Sequence, residues 1–148
     1  MTAPALGQDV DPYRAYRFKL LIPGLADAHF SACTGLAARV TPIRYREGGA
    51  AQLVQSIPGP VEFADVTLRY GLTASSYLFD WFLDTAKGNI QRQNVSITVL
   101  DADGTTERVR WDLIRAWPCE WRGSALDAMS HEVAIETLTL TFESFSRV

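Results

Sequence analysis

The sequence predicts a mainly β fold, either a two-sheet sandwich or a partly open barrel, with one α-helix packed on it. Along about seven segments apolar residues alternate with polar ones, which is the period of a half-buried strand. A single segment between these strands carries its apolar residues at helical spacing instead. Strands on both sides of one helix indicate this architecture. A chain of 148 residues is also long enough to bury a core as one domain.

The N-terminal part divides into a tail and two short strands. Residues 1–12 are mostly small and polar and contain no apolar run, so we expect a flexible tail and no signal peptide. Residues 13–148 are expected to form one domain. Within it, residues 16–22 alternate apolar with basic side chains, and residues 30–33 form a second strand that ends at a Thr-Gly step.

The next two segments differ in kind. Residues 36–46 form an extended segment in which Pro42 marks an edge or a bulge. Residues 47–60 are rich in glycine, proline and small residues, which contribute little to a core. A loop of this length is uncommon in a compact domain and is usually functional or mobile. We therefore expect a functional loop between two strands that are neighbours in the sheet.

The rest of the chain contains the helix and the remaining strands. Residues 75–87 place Leu78, Trp81 and Phe82 on one face, which we expect to pack the helix against the sheets. Gly88 is suited to end the helix, because glycine adopts the left-handed conformation found there. Strands are predicted at residues 61–70, 95–99, 107–116 and 137–143, with a tight turn at 101–104.

Composition and spacing offer no catalytic or ligand-binding set. The chain has 14 Lys and Arg against 17 Asp and Glu, a net charge of -3 that excludes the strongly basic surface of non-specific nucleic-acid binding. Cys33 and Cys119 are too few for a disulfide scaffold or a cysteine zinc site. His29 and His131 have no metal-ligand spacing. We therefore expect no catalytic residues, no metal and no cofactor, and hence no enzyme.

Short motifs occur along nearly the whole chain in an order shared with one family. They are Tyr-Arg-Phe at 16–18, Cys-Thr-Gly-Leu at 33–36, Tyr-Arg-Glu-Gly-Gly at 45–49, Pro-Gly at 58–59, Val-Thr-Leu-Arg-Tyr-Gly at 66–71, Trp81, Trp111, Ala-Trp-Pro at 116–118 and Ala-Ile-Glu at 134–136. In these residues the sequence resembles the inner tube proteins of contractile tails, shared by contractile phages and extracellular contractile injection systems. Thr34 stands where serine is usual and Tyr70 where lysine is common, and neither change threatens the fold.

The resemblance implies a structural role without chemistry. Six copies would pair their sheet edges, so that strands join across subunits into one ring-spanning β-barrel around a lumen. Stacked rings would form a hollow conduit that a contracting sheath drives through a target envelope. The implied partners are the other copies of the homo-hexamer, the sheath protein, baseplate and cap or terminator proteins, and a protein or DNA cargo. No membrane insertion of the folded subunit is implied. Synthesis and assembly in the bacterial cytoplasm, within a phage tail or an extracellular tail-like particle, follow from the same resemblance.

The resemblance also implies roles for two sets of residues. The long loop becomes a candidate for contacts between subunits or stacked rings, through Glu47, Gly48, Gly49, Gln52, Gln55, Pro58 and Gly59. Polar strand residues become candidates for the lumen, namely Arg39, Thr41, Arg44, Arg46, Thr67 and Arg69. For any one of these six, an ordinary solvated outer face explains the pattern equally well.

Two other functions stay open at this point. A tube-like hexamer of type VI secretion has the same fold but usually stacks less firmly and lacks the long loop. A small hydrolase or ligand-binding β-barrel is the least favoured, because no substrate can be named for it. The residues also leave open which tube paralogue this is, and whether its particle is a phage tail or an injection system.

Overall fold

The computed structural model describes residues 18–23, 30–46, 48, 53–72 and 75–148. These residues form nine strands and one helix, in the order β1 Phe18–Leu21, β2 Phe30–Thr34, β3 Ala38–Tyr45, β4 Gln55–Phe63, β5 Val66–Gly71, α1 Tyr77–Ala86, β6 Gln93–Leu100, β7 Glu107–Arg122, β8 Ile135–Thr141 and β9 Ser144–Arg147. The predicted mainly β fold with two sheets and one helix is confirmed, and the described strands do not close into a barrel. The predicted tail, residues 1–12, lies outside the described residues.

Seven strands form one antiparallel sheet that bends where β7 crosses it. The N-terminal part of β7 pairs with β6 on one side and β9 on the other, and β6 pairs with β1. We call these four the β6 sheet. Residues 117–122 of β7 pair instead with β8, which is followed by β5 and β2. We call this part the β8 sheet.

Arg115 marks the bend in β7. Its φ of 54° lies in the left-handed region, and Arg115 is the one non-glycine residue with positive φ in the described part of the chain. The register between β6 and β7 shifts between Gln93 and Val95, next to this position. The Asn94 side-chain oxygen accepts a hydrogen bond from the Arg115 N–H at 3.0 Å. A bulge of this kind bends a strand, which allows β7 to belong to both sheets.

One apolar cluster joins both halves of the main sheet and the helix. Alternate residues of β5, β6, β7 and β8 point into it, which is why these strands show period-two alternation. The helix adds two buried side chains from one of its faces. The cluster consists of Leu20, Ile22, Val66, Leu68, Leu78, Trp81, Val95, Ile97, Leu113, Ala116, Leu138 and Leu140.

The helix ends as its sequence predicts. Gly88 has a φ of 89°, and its N–H donates to the Thr85 carbonyl at 3.1 Å. The Asn89 N–H donates to the Asp84 carbonyl at 2.8 Å, which completes a Schellman motif. At the other end the Ser76 hydroxyl donates to Asp80 at 2.9 Å and does not cap a backbone N–H.

Strands β3 and β4 form a separate hairpin, and this overturns the predicted loop at residues 55–60, which belong to β4. Gln55, Pro58 and Gly59 are strand residues of β4, paired with β3. The proline and glycine suggested a loop because both weaken strands. Here β4 pairs only with β3 among the described strands, and the register shifts between Val40 and Pro42, so an edge strand with a bulge accommodates both residues.

Three further boundaries differ from the prediction. The single strand expected at residues 61–70 is two strands, because Ala64 and Asp65 separate β4 from β5. Strand β7 continues beyond Ala116 to Arg122, because the bulge at Arg115 redirects it to a new partner. Strand β9 escaped prediction, since its Ser-Phe-Ser-Arg sequence is too short to show a period.

Candidate functional site

Exposed apolar residues concentrate on the β3–β4 hairpin. The exposed fractions are 47% for Val40, 51% for Ile43, 44% for Ile57 and 54% for Val61. Val40 pairs across the strands with Val61, and Ile43 pairs with Ile57. No residue of β3 or β4 is buried. Exposed apolar side chains paired across two strands in this way favour a protein–protein contact.

Both faces of the hairpin are apolar. Because side chains alternate along β3, Val40 and Ile43 lie on opposite faces. The bulge in β4 keeps Val61 on the face of Val40 and Ile57 on the face of Ile43. A hairpin buried by its own chain would need only one apolar face, so this arrangement suits insertion between neighbouring molecules.

Two glycines hold the hairpin in place. A Cβ on Gly59 would lie 2.3 Å from the Thr41 carbonyl oxygen on the facing strand. Gly35, where the chain leaves β2 for the hairpin, has a φ of 94°, and a Cβ there would lie 2.4 Å from the Asp65 carbonyl oxygen. The Ala64 N–H also donates to the Ala37 carbonyl at 3.0 Å. The Thr-Gly-Leu and Pro-Gly motifs therefore have a backbone role.

Aromatic rings attach the base of the hairpin to the main sheet. Phe63, the last residue of β4, meets the Phe145 ring edge-on at a centroid distance of 5.2 Å. Its ring lies 6.2 Å from that of Phe142. Such pairs contribute about 0.5–1.5 kcal/mol beyond their buried area. The base is thus anchored, whereas the rest of the hairpin extends away from the core.

The β8 sheet has one apolar and one polar face. On the polar face Thr67 pairs across the strands with Thr139, and their hydroxyl oxygens are 3.4 Å apart. The row continues to Thr34 on β2 and to Glu120 on β7. A second row contains Arg69. These hydroxyl and charged groups face away from the core.

The second polar row carries the positive charge of this face. Arg69 pairs with Thr137, which pairs with Arg122. The Arg122 guanidinium lies 2.5 Å from the Glu120 carboxylate, so those two charges offset each other. Arg69 is exposed and forms no ion pair with a residue that the structure describes. In these two rows Arg69 is therefore the one charged side chain without an ion-pair partner among the described residues.

The apolar face of the β8 sheet is covered by the core and the helix. Phe79 packs edge-on against Trp121 at a centroid distance of 4.8 Å. Leu78 and Trp81 are buried, and Phe82 packs against the core cluster. The Trp81 indole N–H donates to the Gln91 carbonyl at 2.8 Å. With one face covered in this way, only the polar face of this sheet remains open.

Two edges of the β8 sheet lack a partner strand among the described residues. Strand β2 pairs only with β5, and residues 117–122 of β7 pair only with β8. An unpaired edge exposes a row of N–H and C=O groups that readily pair with another chain. The two edges lie on opposite sides of a four-stranded sheet, so copies can join edge to edge in one direction.

The loop between β7 and β8, residues 123–134, forms a second exposed apolar surface. Its exposed fractions reach 82% for Leu126, 85% for Met129 and 77% for Val133. Beneath it lies an open concavity of about 660 Å³, lined mostly by this loop together with Arg69. We refer to this segment as the β7–β8 loop.

The residues predicted for the loop and for the lumen lie in different parts of the structure. Glu47, Gly49 and Gln52 lie outside the described residues, and Gly48 is in an exposed turn. The lumen candidates do not form one surface, because β3 belongs to a separate sheet from β5. Arg39 and Thr41 lie on one face of β3, Arg44 lies on the opposite face and Arg46 follows the strand, whereas Thr67 and Arg69 share the polar face of β5.

Sequence reasoning missed the rest of that polar face. Its further members are Thr137, Thr139, Glu120 and Arg122, which lie beside Thr67 and Arg69 only because of the strand register. The regular threonines of residues 137–141 were the available signal, since they alternate with buried leucines.

The described residues show no assembled reactive centre. Burial raises the pKa of the Cys33 thiol to about 11, which disfavours the reactive thiolate at neutral pH. Burial and the nearby Asp65 carboxylate also raise the pKa of Cys119. No group of three or more His, Cys, Asp or Glu side chains suited to a metal ion occurs in the described part. Within that part, no helix has the length and apolar character to cross a membrane.

Comparisons with known proteins agree with this geometry. A family model described as "T4-like virus tail tube protein gp19" matches residues 14–146. The PVC sheath-tube complex of an extracellular contractile injection system contains a chain that is 24% identical, with a TM-score of 0.83 over 93% of this chain and 91% of that one. The anti-feeding prophage cap contains a chain that is 22% identical, with a TM-score of 0.85 over 97% of each chain.

A more distant similarity extends to another group of proteins. Hcp1 from Flavobacterium johnsoniae is 15% identical, with a TM-score of 0.56 over 88% of this chain and 93% of that one. A search of curated protein sequences finds no match. The structural similarities, all under 25% identity, establish the fold.

Proposed function

The chain belongs to the family of the T4-like virus tail tube protein gp19 and is a structural tube subunit, and we propose that its copies close into hexameric rings that stack into the inner tube of a contractile tail or injection particle. The observation that carries this proposal is the four-stranded β8 sheet, with its covered apolar face, open polar face and two unpaired edges. The role requires no catalysis, metal or cofactor.

Ring closure follows from the two free edges. In each ring the β2 edge of one subunit pairs with residues 117–122 of the next subunit. Head-to-tail contacts of this kind make a ring when the rotation closes. Every subunit then contributes four strands to a shared barrel, and no strand edge of the β8 sheet stays open to aggregation.

The polar face of the β8 sheet lines the lumen. The apolar face is already packed against the core and helix, so the helix lies on the outside of the ring. Threonine hydroxyls and the exposed Arg69 would then repeat around the channel. Of the predicted lumen residues we propose only Thr67 and Arg69 for this surface, because Arg39, Thr41, Arg44 and Arg46 belong to the hairpin segment, which is not part of this sheet.

The β3–β4 hairpin makes the contacts between neighbouring subunits. Its apolar residues have no cover within the described chain, and both of its faces are apolar. The residues Glu47, Gly48, Gly49 and Gln52, between β3 and β4 in the sequence, and the strand residues Gln55, Pro58 and Gly59 remain the proposed contact region.

The similar structures suggest the remaining partners. The titles of two of them describe a sheath-tube complex and a tube-terminating cap, and that of a third describes a baseplate. We infer that this chain likewise meets a sheath, a baseplate and a cap or terminator, and that a protein or DNA cargo passes through its lumen. Synthesis and assembly take place in the bacterial cytoplasm. The family match favours a tail tube over the type VI secretion alternative.

Light scattering and negative-stain microscopy of the purified full chain test ring formation. The expected particle is annular, with about six times the subunit mass of 16.4 kDa. A chain that stays monomeric at every concentration, without annular particles, counts against the proposal.

Two adjacent proline variants test the edge. Successive N–H groups of a strand point to opposite sides, so one of Ala32→Pro and Cys33→Pro removes a bond to β5 and the other blocks only the outer edge. The variant that keeps its bond to β5 should melt at nearly the wild-type temperature, and it should lose ring formation. If that variant still forms normal rings, the β2 edge is not the contact.

A further inference from the structure

The two exposed apolar surfaces lie at opposite ends of the same strand. Strand β5 starts at Val66, beside the hairpin base, where Gly35 contacts Asp65. It ends at Gly71, which pairs with Ile135, and the next N–H, of Leu72, donates to the Ala134 carbonyl of the β7–β8 loop at 2.9 Å. Six strand residues span about 20 Å, so the hairpin base and the β7–β8 loop meet β5 at ends that lie about 20 Å apart.

The two surfaces are both apolar. The hairpin presents Val40, Ile43, Ile57 and Val61, and Leu53 just before β4 is also exposed. The β7–β8 loop presents Leu126, Met129 and Val133, and small or apolar residues line much of the concavity beneath it. Two surfaces that both expose apolar side chains can bury them against each other, and the concavity offers room for such side chains.

Their charges are opposite. Residues 38–63 contain Arg39, Arg44 and Arg46 against Glu47 and Glu62, a net charge of +1. The three arginines are exposed, and none forms an ion pair with a described residue. Residues 123–134 contain Asp127 and Glu132 and no Lys or Arg, a net charge of -2 with neutral histidine. Complementary charge of this kind favours one docking partner and orientation.

We propose that the β3–β4 hairpin of one subunit docks on the β7–β8 loop of a second copy of this chain in the adjacent ring. Apolar hairpin residues cover Leu126, Met129 and Val133, and the hairpin arginines lie near Asp127 and Glu132. The inference rests on the proposed tube and names the surface that receives the hairpin.

The position of the surfaces explains why such a contact would build a tube. The donor and acceptor surfaces differ and adjoin opposite ends of β5, so each docked copy leaves one hairpin and one loop free for further copies. Head-to-tail contacts that do not close generate open filaments. The edge contacts close within a ring, and this contact continues along the axis.

Site-directed disulfide cross-linking of full-length chains tests the contact. One chain carries Ile57→Cys and the other Met129→Cys, both with Cys119→Ser, and the two are mixed before assembly. The expected product is a disulfide between residues 57 and 129 of different chains, identified by mass spectrometry. As the control, Ile57→Cys is mixed with Ile90→Cys, at another exposed apolar site. This pair should yield at least about 10-fold less product, since a disulfide requires Cα atoms within about 7 Å.

Charge reversal supplies the second measurement. Arg39→Glu, on the same face of β3 as Ile43 and its partner Ile57, should reduce the 57–129 product and the length of stacked particles, and so should Glu132→Arg. Mixing these two variants should restore part of the product, because each supplies the charge that the other lacks. Lys87→Glu reverses an exposed cation at the end of the helix and should change neither readout.

Each outcome bears on one level of the assembly. Stacked rings with the 57–129 link support the inference. Stacked rings without the link, equal linking to residue 90, or rings that never stack overturn it while ring closure stands. Chains that form no rings overturn the proposed function itself, and light scattering distinguishes this case before any cross-link is analysed.

Discussion

The β5–β8 pair and the β3–β4 hairpin are both antiparallel strand pairs with apolar residues facing each other, yet they differ in what covers them. Val66, Leu68, Leu138 and Leu140 are all 0% exposed, because the helix and the β6 sheet pack over their face. In β3 and β4, the described strands of the hairpin, no residue is buried.

This contrast shows what an apolar strand pattern means. Alternation of apolar and polar residues predicts that one face of a strand is buried. It does not predict whether the covering residues belong to the same molecule or to another one. In β5 and β8 the cover is intramolecular, so these residues contribute to the stability of the subunit. In the hairpin the proposed cover is another copy, so its residues contribute to assembly. The following variants test that division.

The largest effect is expected for an acidic residue in the core pair. Leu140→Asp places a carboxylate on the apolar face opposite Val66, and the cost of burying it should be about 4 kcal/mol or more, enough to prevent folding. Val61→Asp makes the matched change in the hairpin and should alter the unfolding free energy of the separate subunit by about 0.5 kcal/mol or less. Urea denaturation followed by circular dichroism measures both. Equal losses of unfolding free energy in the two variants would mean that the hairpin stabilises the separate subunit as much as the core pair does.

The second effect concerns the joint between the regions. Gly35→Ala adds a Cβ 2.4 Å from the Asp65 carbonyl oxygen at a φ of 94°, and it should destabilise the subunit by about 2 kcal/mol or more. Gly71 has open space at its Cβ position, so Gly71→Ala should be neutral or stabilising by up to about 1 kcal/mol. Thermal melting compares the two variants. Similar melting temperatures would mean that the hairpin joint tolerates a side chain.

A smaller effect is expected at the bend of β7, where the two halves of the sheet meet. At Arg115, with its φ of 54°, glycine should be more stable than alanine by about 0.5–1 kcal/mol, because only glycine relieves the left-handed strain. The exposed Arg115–Glu143 ion pair is lost equally in both variants. At Arg122 on the same strand the order should reverse, with alanine the more stable. The denaturant midpoints of the glycine and alanine variants at positions 115 and 122 are compared. The same order of stability at both positions would contradict left-handed strain at Arg115.

The smallest effect appears only at alkaline pH. Burial and the neighbouring Glu136 carboxylate raise the pKa of the Tyr70 phenol above its usual value near 10. The fold favours the neutral phenol, so this stability is complete below pH about 10 and is lost as the pH rises further.

Tyr70→Phe should therefore flatten the alkaline fall in the urea midpoint above pH about 10, the pKa of tyrosine in the unfolded chain. Tyr45→Phe is the control, because Tyr45 is an exposed tyrosine on the hairpin. An unchanged alkaline slope in Tyr70→Phe would assign the pH dependence to another group.

The regular parts of the molecule were predictable from the sequence. The buried alternation of β5, β6 and β8 and the helix with Gly88 at its end express local rules of periodicity and capping. Thr67 and Arg69 could be identified as polar strand residues for the same reason. Their neighbours could not, because cross-strand proximity depends on register, and register is set by pairing over long sequence separations.

The sequence by itself determined which residues would form strands with one helix, and which of them needed cover, because side-chain chemistry and spacing are local properties. Only the tertiary structure decided that β7 bends at Arg115 to serve two sheets, that Gln55–Phe63 pairs as a strand, and that the hairpin and the β7–β8 loop lie at opposite ends of β5. These features depend on the pairing of distant segments. Hydrogen bonds between strands and the packing of the shared core select that pairing, and neither is visible in a local pattern.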